Sequence, residues 1–255
     1  MIKFFRKIRQ NLLSEGKTGK YIKYALGEIM LVVIGILIAL SLNNWNSQRL
    51  SNERNDALLI KLSKELDLNI ERAAGLDSLD LNSGFRNKFK FTDSILNLLD
   101  NNKAINHLDY IVSELIFFVN TFNLNTSIFQ ELKNTGSLYS IGSDSLVAQI
   151  QKYYQLCDRE SFYNLEYSKN VNTLKFKCSD GWYDFKYLYQ KDSDEALKLH
   201  PWIRNPRSLE YIHFRQFVNA ARNHNRLMSY KLNGIIQESE KLKNQIAEEQ
   251  NKKRI

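Results

Sequence analysis

The longest apolar stretch of the chain lies near its N-terminus and runs from Ala25 to Leu42, with Glu28 as its single charged residue. As an α-helix, a stretch of this length nearly spans the ~30 Å hydrocarbon core of a bilayer. Tyr21 and Tyr24 flank one end and Trp45 the other, as residues that favour a membrane interface do. The pattern predicts a transmembrane helix over residues 25–42, because a buried helix of a soluble protein rarely contains so long an apolar run.

Beyond Leu42 the apolar residues recur at intervals of three and four, the spacing of one face of an α-helix. No proline or glycine falls between Gly35 and Gly75, so we expect one continuous helix from near Lys20 to about Ala73. The sequence predicts an all-α fold, in which about three further helices pack against the first as an elongated bundle. The apolar faces include Leu59, Leu62, Leu66, Phe85, Ile95, Leu99, Ile105, Leu108, Phe122, Leu146, Ile150, Tyr153, Cys157, Phe162, Leu165, Phe217, Ile235 and Leu242.

Capping and turn signals mark several boundaries of these helices. Residues 127–130 fit a capping box for a short helix that stops at Gly136, and Ser143 fits the N-cap of the next helix. Both prolines of the chain, Pro201 and Pro206, lie just before the last helix, which we expect to begin near residue 208 and to fray after residue 248. The chain is therefore predicted to break between residues 190 and 208.

An aromatic cluster precedes this break and departs from the helical spacing. Over residues 178–189 aromatic residues alternate with other side chains, a period closer to that of a strand. Two interpretations stay open: an exposed surface that binds a glycan, a peptide or a partner, or a core that closes one end of the bundle. The cluster comprises Trp182, Tyr183, Phe185, Tyr187, Tyr189 and Trp202.

The positive charge is concentrated before the apolar stretch. The chain has a formal net charge of +8, and residues 1–24 contribute seven cations and one anion to it. This imbalance predicts a cytoplasmic arm over residues 1–24 and a domain over residues 43–255 on the other side of the membrane. Residues 1–13 of the arm either form an amphipathic helix on the inner membrane face or are a solvated basic segment that does not dock. A cleaved signal peptide, with Ala39 to Ser41 as its cleavage site, is the alternative, but the basic arm and the apolar run are too long for it.

Two stretches of the chain carry residue patterns beyond the helical spacing. The first comprises YALGEI at 24–29, VVIGILIAL at 32–40 and NNWN at 43–46. The second is residues 126–141, with Thr126, Glu131, Leu132, Gly136, Leu138 and Ile141. At these residues the chain resembles an uncharacterised family of single-pass membrane proteins that is frequent in Bacteroidota. The resemblance implies an anchored, mostly helical extracytoplasmic domain, which in Bacteroidota lies in the periplasm, and it implies no assigned activity.

Small residues on one face of the apolar stretch predict helix packing within the membrane. Gly27, Gly35 and Ala39 lie on this face, and Gly35 and Ala39 form a small-xxx-small pair that lets two helix backbones approach closely. Glu28 lies one turn inside the predicted cytoplasmic edge. Its carboxylate either snorkels to the interface or pairs with a lysine or a partner helix.

The sequence lacks the motifs of several known catalytic classes. HExxH, GxSxG and glycine-rich phosphate loops are absent. His213 and His224 would lie ~16 Å apart along one helix, too far for one metal ion. Cys157 and Cys178 would lie ~31 Å apart on one helix, so we expect two separate thiols unless the chain folds back between them.

These patterns predict a non-catalytic, inner-membrane-anchored periplasmic domain for protein–protein interaction or complex assembly. We expect no cofactor, no metal and no nucleic acid; the partners are the lipid bilayer and either a second copy or another membrane or periplasmic protein. One alternative is a small-ligand sensor domain that signals through a partner. The other is an enzyme acting on cell-envelope material.

Overall fold

The computed structural model describes residues 18–78, 83–115 and 122–252, and these residues form helices and no strand. The predicted all-α fold is therefore confirmed. Short 3₁₀ helices lie at Ala104–His107, Ser137–Tyr139 and Pro201–Arg204. The α-helices are α1 (Thr18–Leu76), α2 (Phe85–Asp100), α3 (Leu108–Glu114), α4 (Ser127–Asn134), α5 (Asp144–Lys177), α6 (Ser179–Tyr189), α7 (Ser193–Leu199) and α8 (Leu209–Lys252).

The chain divides into two units, Met1–Asp56 and Ala57–Ile255. The described part of the first unit is the N-terminal part of α1. This helix continues without interruption from Thr18 to Leu76, which confirms the predicted continuity. The predicted amphipathic helix at residues 1–13 lies outside the described residues.

The second unit contains two apolar clusters. In the first, the C-terminal part of α1 packs with α4, α5 and the C-terminal half of α8. Leu59, Leu62 and Leu66 of α1 are fully buried there, as their spacing predicts. Burying each such side chain contributes about 1.5–3 kcal/mol to stability, so this face fixes α1 within the unit.

The second cluster joins α2, α3, α6 and α7 to the end of α5 and the first half of α8. Trp182 of α6 stacks on Phe214 of α8, with ring centroids 4.3 Å apart. Helices α5 and α8 take part in both clusters and run antiparallel. Glu249 contacts Ser143 at one end of the pair, and His224 contacts Ser168 towards the other.

The strand-like interpretation of residues 178–189 is wrong, because these residues form α6. Trp182, Phe185 and Tyr189 follow each other at intervals of three and four, so one helical face carries them towards the cluster. Trp182 and Phe185 are buried and Tyr189 is partly buried. The alternation arises because further aromatic residues, Tyr183 and Tyr187, occupy the outer face.

The helix boundaries differ from the predicted ones at two places and agree with them at a third. Residues 105–122 do not form one long helix: a 3₁₀ turn precedes α3, which ends at Glu114. α8 continues to Lys252 rather than fraying after residue 248. The chain breaks as predicted at Pro201, the first residue of a 3₁₀ helix.

Residues 127–130 form no capping box. Thr126 is the N-cap of α4 and makes no side-chain capping hydrogen bond. The stop at Gly136 is confirmed, because this residue adopts a φ of +70°, where side chains with a Cβ are strained. The Ser143 cap of α5 is also confirmed, since its hydroxyl accepts from Leu146 N.

Candidate functional site

Helix α1 carries the segment that fits a membrane. It is long and apolar enough to cross a bilayer, and none of its best eighteen-residue window is buried by the rest of the described chain. Gly27, Gly35 and Ala39 of the predicted packing face are exposed. A Cβ placed on Gly27 or Gly35 would meet no atom within 4 Å, so no described residue packs against these two positions. Glu28 beside it is partly buried.

The structure separates the six residues of the aromatic cluster. Trp182, Phe185 and Trp202 are buried in the second apolar cluster, as the core interpretation requires. Tyr189 is partly buried, and its hydroxyl donates to Asp109 Oδ1 at 3.0 Å. Tyr183 and Tyr187 are exposed. The cluster is therefore mainly core, and only these last two tyrosines face outward among its members.

A different aromatic surface lies on α5, where the usual arrangement of apolar and polar faces is inverted. The side of the helix that faces the protein carries the buried residues Glu160, Asn164 and Ser168. The opposite side exposes Phe162 and Leu165, whose relative exposures are 60% and 50%. The prediction that these two residues belong to the core stripe is wrong. Tyr163 and Tyr167, three and seven residues after Glu160, lie at the edge of the inner side and are also exposed. We call these four exposed residues, Phe162, Tyr163, Leu165 and Tyr167, the α5 surface.

The α5 surface could have been found from the spacing of the core residues. Leu146, Ile150, Tyr153 and Cys157 define one register of intervals of three and four. Continuing it places residues 160, 164 and 168 inside. Those positions are polar, so the apolar residues between them must face outward.

Glu160 is held on the inner side of α5 by two cations. Arg159 Nη2 lies 2.5 Å from its carboxylate, and Lys231 of α8 donates to its other oxygen. The Lys231 ammonium also lies 4.6 Å from the ring centroid of Tyr163. These contacts connect α5 to α8 next to the α5 surface and hold this part of α5 in place.

A buried carboxylate connects α1 to α4 and α5. Glu65 of α1, which is 3% exposed, accepts from Ile128 N at 2.7 Å and from Ser127 Oγ at 2.9 Å. The Tyr154 hydroxyl of α5 donates to its other oxygen. Burial and this carboxylate raise the pKa of Tyr154 far above its usual value. Glu65 thus satisfies the N-terminus of α4, the role that the sequence assigned to a local capping box.

One turn later, Asn69 makes a second polar connection. Its side chain accepts from Asn125 N at 2.6 Å and donates to Asn125 O at 3.0 Å. The same amide donates to the Tyr153 hydroxyl at 3.2 Å, which also accepts from Ser239 of α8 at 3.0 Å. Glu65 and Asn69 together fix the register of α1 in the first apolar cluster.

His224 and Ser168 form the arrangement most similar to a catalytic pair, with 3.3 Å between Nε2 and Oγ. Both residues are buried, and the His224 ring packs edge-on against Phe85. Burial, with a smaller contribution from the Lys88 charge, lowers the pKa of His224 to about 4. Since neither side chain reaches the surface, the pair acts as a hydrogen-bonded core element.

The cysteines do not form a disulfide. Both are buried free thiols, because α5 continues without a turn from Cys157 almost to Cys178. Burial raises the pKa of Cys157 to about 12 and that of Cys178 to about 11. Both side chains therefore remain protonated thiols at neutral pH, and neither is a nucleophile there. Among the described residues, no three His, Cys, Asp or Glu side chains are grouped so as to hold a metal ion.

A model of a family of unknown function, DUF6090, matches residues 28–195, more than half of the chain. The chain belongs to this family. No curated protein and no solved structure matches it. The predicted membership of an uncharacterised family is therefore confirmed.

The DUF6090 match covers α1 from Glu28 onward and ends within α7. It includes Glu65 and the residues of α4 and α5 that donate to it. It also includes Leu132, Leu138 and Ile141, the apolar residues of the second resembling stretch, which are buried in the first apolar cluster. These residues of that stretch thus pack the core.

Proposed function

We propose that this protein is a non-catalytic, single-pass inner-membrane protein whose periplasmic helical domain binds another protein. Residues 1–24 lie in the cytoplasm and residues 43–255 in the periplasm. The anchor is supported by the unburied apolar window of α1. The orientation is supported by the seven cations that precede this window.

The observation that carries the binding role is the α5 surface. Its four neighbouring apolar and aromatic residues are all more than one third exposed. Removing such a surface from water favours association, and tyrosine and phenylalanine are common at the energetic centres of interfaces. The described residues leave this apolar surface exposed although the inner side of the same helix is polar, which favours an external partner.

The charges around the α5 surface indicate what kind of partner fits. Asp158, Arg159, Glu166 and Lys169 are exposed at its edges, two of each sign. A surface of anionic lipid or nucleic acid would be repelled by half of them. An amphipathic protein helix, with an apolar stripe and charges of both signs beside it, complements them.

Site-specific photo-crosslinking in native membranes tests this role. A benzoylphenylalanine at position 162 or 167 should capture the same protein, whereas one at Tyr139, which is 76% exposed on another part of the domain, should not. Leu165→Lys should abolish the capture at position 162 without unfolding the domain, because Leu165 is exposed. A product of twice the chain mass would identify the partner as a second copy.

Equal capture at positions 162 and 139 would contradict the proposal, and so would capture that survives Leu165→Lys. Both results would show that the crosslinker reports random encounters. The α5 surface would then have no specific occupant.

A further inference from the structure

We propose that a cavity beside Trp202 binds a neutral ligand through a secondary amide group. The cavity is open, has a volume of about 530 Å³ and lies where α6, the Pro201–Arg204 turn and the start of α8 meet. It is distinct from the α5 surface and does not depend on the function proposed for that surface. Its walls are formed by Gly181, Leu199, His200, Pro201, Trp202, Asn205, Ser208 and Glu210.

The first observation is an unsatisfied donor. Trp202 is 7% exposed, and its ring packs edge-on against Phe185 and Phe214. Its indole Nε1 is buried and has no hydrogen-bond partner among the described residues. An indole nitrogen can only donate, and a buried donor without an acceptor costs about 1–3 kcal/mol. An oxygen acceptor from a ligand would remove this cost.

The second observation is the space beside this donor. Gly181, in the first turn of α6, has no Cβ, and a Cβ there would lie 3.5 Å from Trp202 Nε1 and 3.6 Å from Glu210 Cβ. Both distances are ordinary van der Waals contacts. The missing methyl group therefore leaves room for about one ligand atom next to the indole N–H.

The polar groups around this space select the ligand class. An ammonium group could pair with Glu210 but has no acceptor for the indole N–H. A carboxylate could accept from the indole but would be repelled by Glu210. A secondary amide meets both demands, since its carbonyl accepts and its N–H donates. Asn205, whose Oδ1 already accepts from Arg207 N, lines the same cavity with an amide N–H that can donate to a ligand.

Two sources supply this chemistry, the amide of a peptide and the acetamido group of an amino sugar. Leu199 and Pro201 are exposed at the cavity and would contact the apolar part of either ligand. The shared element is the amide, and the experiment separates the two sources.

Fluorine NMR of the full chain in detergent, labelled with 5-fluorotryptophan, reports on the indole directly. The chain has three tryptophans, and the Trp202 signal is assigned by its loss in Trp202→Phe. N-acetylglucosamine and N-acetylalanine methylamide are titrated as probes, with glucose as the sugar without an amide. We expect one amide probe to shift the Trp202 signal saturably and to leave the Trp45 signal unchanged.

Gly181→Ala provides the decisive variant, because alanine fits the helix and fills the space beside Nε1. It should weaken binding of the active probe at least tenfold while the circular dichroism spectrum and the urea unfolding midpoint are unchanged, which shows that the fold is retained. Gly234→Ala on α8 is the matched control, since a Cβ there meets no atom within 4 Å, and it should bind as the unmodified chain does.

Three results would overturn the proposal: no saturable shift with either amide probe, an equal response to glucose, or unchanged binding by Gly181→Ala. None of them bears on the α5 surface, whose crosslinking is measured at other positions. Failure of the ligand site and failure of the proposed function are therefore distinguishable.

Discussion

Glu65 shows how one buried side chain can replace a local cap. Its carboxylate accepts from a backbone N–H and a hydroxyl of α4 and from a tyrosine hydroxyl of α5. A buried charge is tolerated only when its hydrogen bonds are made, and removing it leaves several buried donors without acceptors. The polar connection between α1 and the rest of its apolar cluster therefore depends on this residue.

We expect Glu65→Ala to lower the free energy of unfolding of the domain by about 2–4 kcal/mol. The measurement is urea unfolding of the full chain in detergent, followed by circular dichroism. Glu71→Ala, at an exposed position of the same helix, is the control and should change stability by less than about 0.5 kcal/mol. Similar losses in both variants would show that Glu65 contributes only helix propensity.

His224 should make stability depend on pH. Its pKa in the folded chain is about 4, mainly because of burial, whereas an unfolded histidine titrates near 6.5. Between these values the unfolded chain binds a proton that the folded chain does not. The free energy of unfolding should therefore fall by up to about 3 kcal/mol as the pH is lowered from 6.5 to 4.

The same unfolding measurement at several pH values checks this dependence. His224→Gln should reduce the slope in this window, whereas His107→Gln, at an exposed position, should preserve it. If both variants keep the slope, other groups cause the acid destabilisation.

At the scale of elements, the periodic apolar residues were sufficient to predict the long helices. α1 and α8 begin and end within a few residues of their predicted bounds. α8 and the C-terminal part of α1 bury a repeated apolar stripe, whereas the first part of α1 is an unburied apolar run without proline. The role of Glu65 could not be predicted, since its partners lie more than sixty residues away along the chain. The α5 surface is not part of the predicted core stripe because Phe162 and Leu165 depart from the helical register that the preceding core residues of α5 define.

Trp202 illustrates the same limit at the candidate ligand site. The sequence places this residue in an aromatic cluster and leaves open whether that cluster is a core or an exposed surface; the structure buries it. Its unsatisfied N–H depends on which side chains the Pro201–Arg204 turn, α6 and α8 bring together. The spacing of residues along the sequence cannot predict this tertiary arrangement.

The exposed small face of α1 makes a prediction about helix association. If this face packs against a second helix in the membrane, Gly35→Leu should weaken the contact, because a leucine keeps the backbones apart. Glu28→Gln should weaken it less, since an amide can still form a hydrogen bond. A membrane two-hybrid assay measures both variants, with Ile36→Leu as a control on a neighbouring face.

Association that is unchanged in both variants would leave α1 as a simple anchor. Loss of association in Ile36→Leu as well would mean that the assay responds to any change of volume in the helix. Only a selective effect of Gly35→Leu supports packing through the small face.

At the scale of the whole molecule, the charge distribution and the apolar segment of α1 together support the proposed membrane topology. Most of the net charge of +8 lies before residue 25, and the larger domain that follows is nearly balanced. Such a distribution is typical of orientation in a membrane and not of nucleic acid binding, which needs a basic surface on the folded domain. The proposed topology follows from this asymmetry.

A reporter that is active only in the periplasm, fused after Ile255, should therefore be active, and a cytoplasmic reporter at the same position should be silent. The reason is that seven cations precede the apolar window, whereas Arg49, Arg54 and Lys61 are the cations within twenty residues after it. Changing Arg6, Lys7, Arg9 and Lys20 to glutamate removes this imbalance and should lower periplasmic activity. An active cytoplasmic reporter on the unmodified chain would show that the orientation is the opposite of the proposed one. The partner of the α5 surface would then be a cytoplasmic protein.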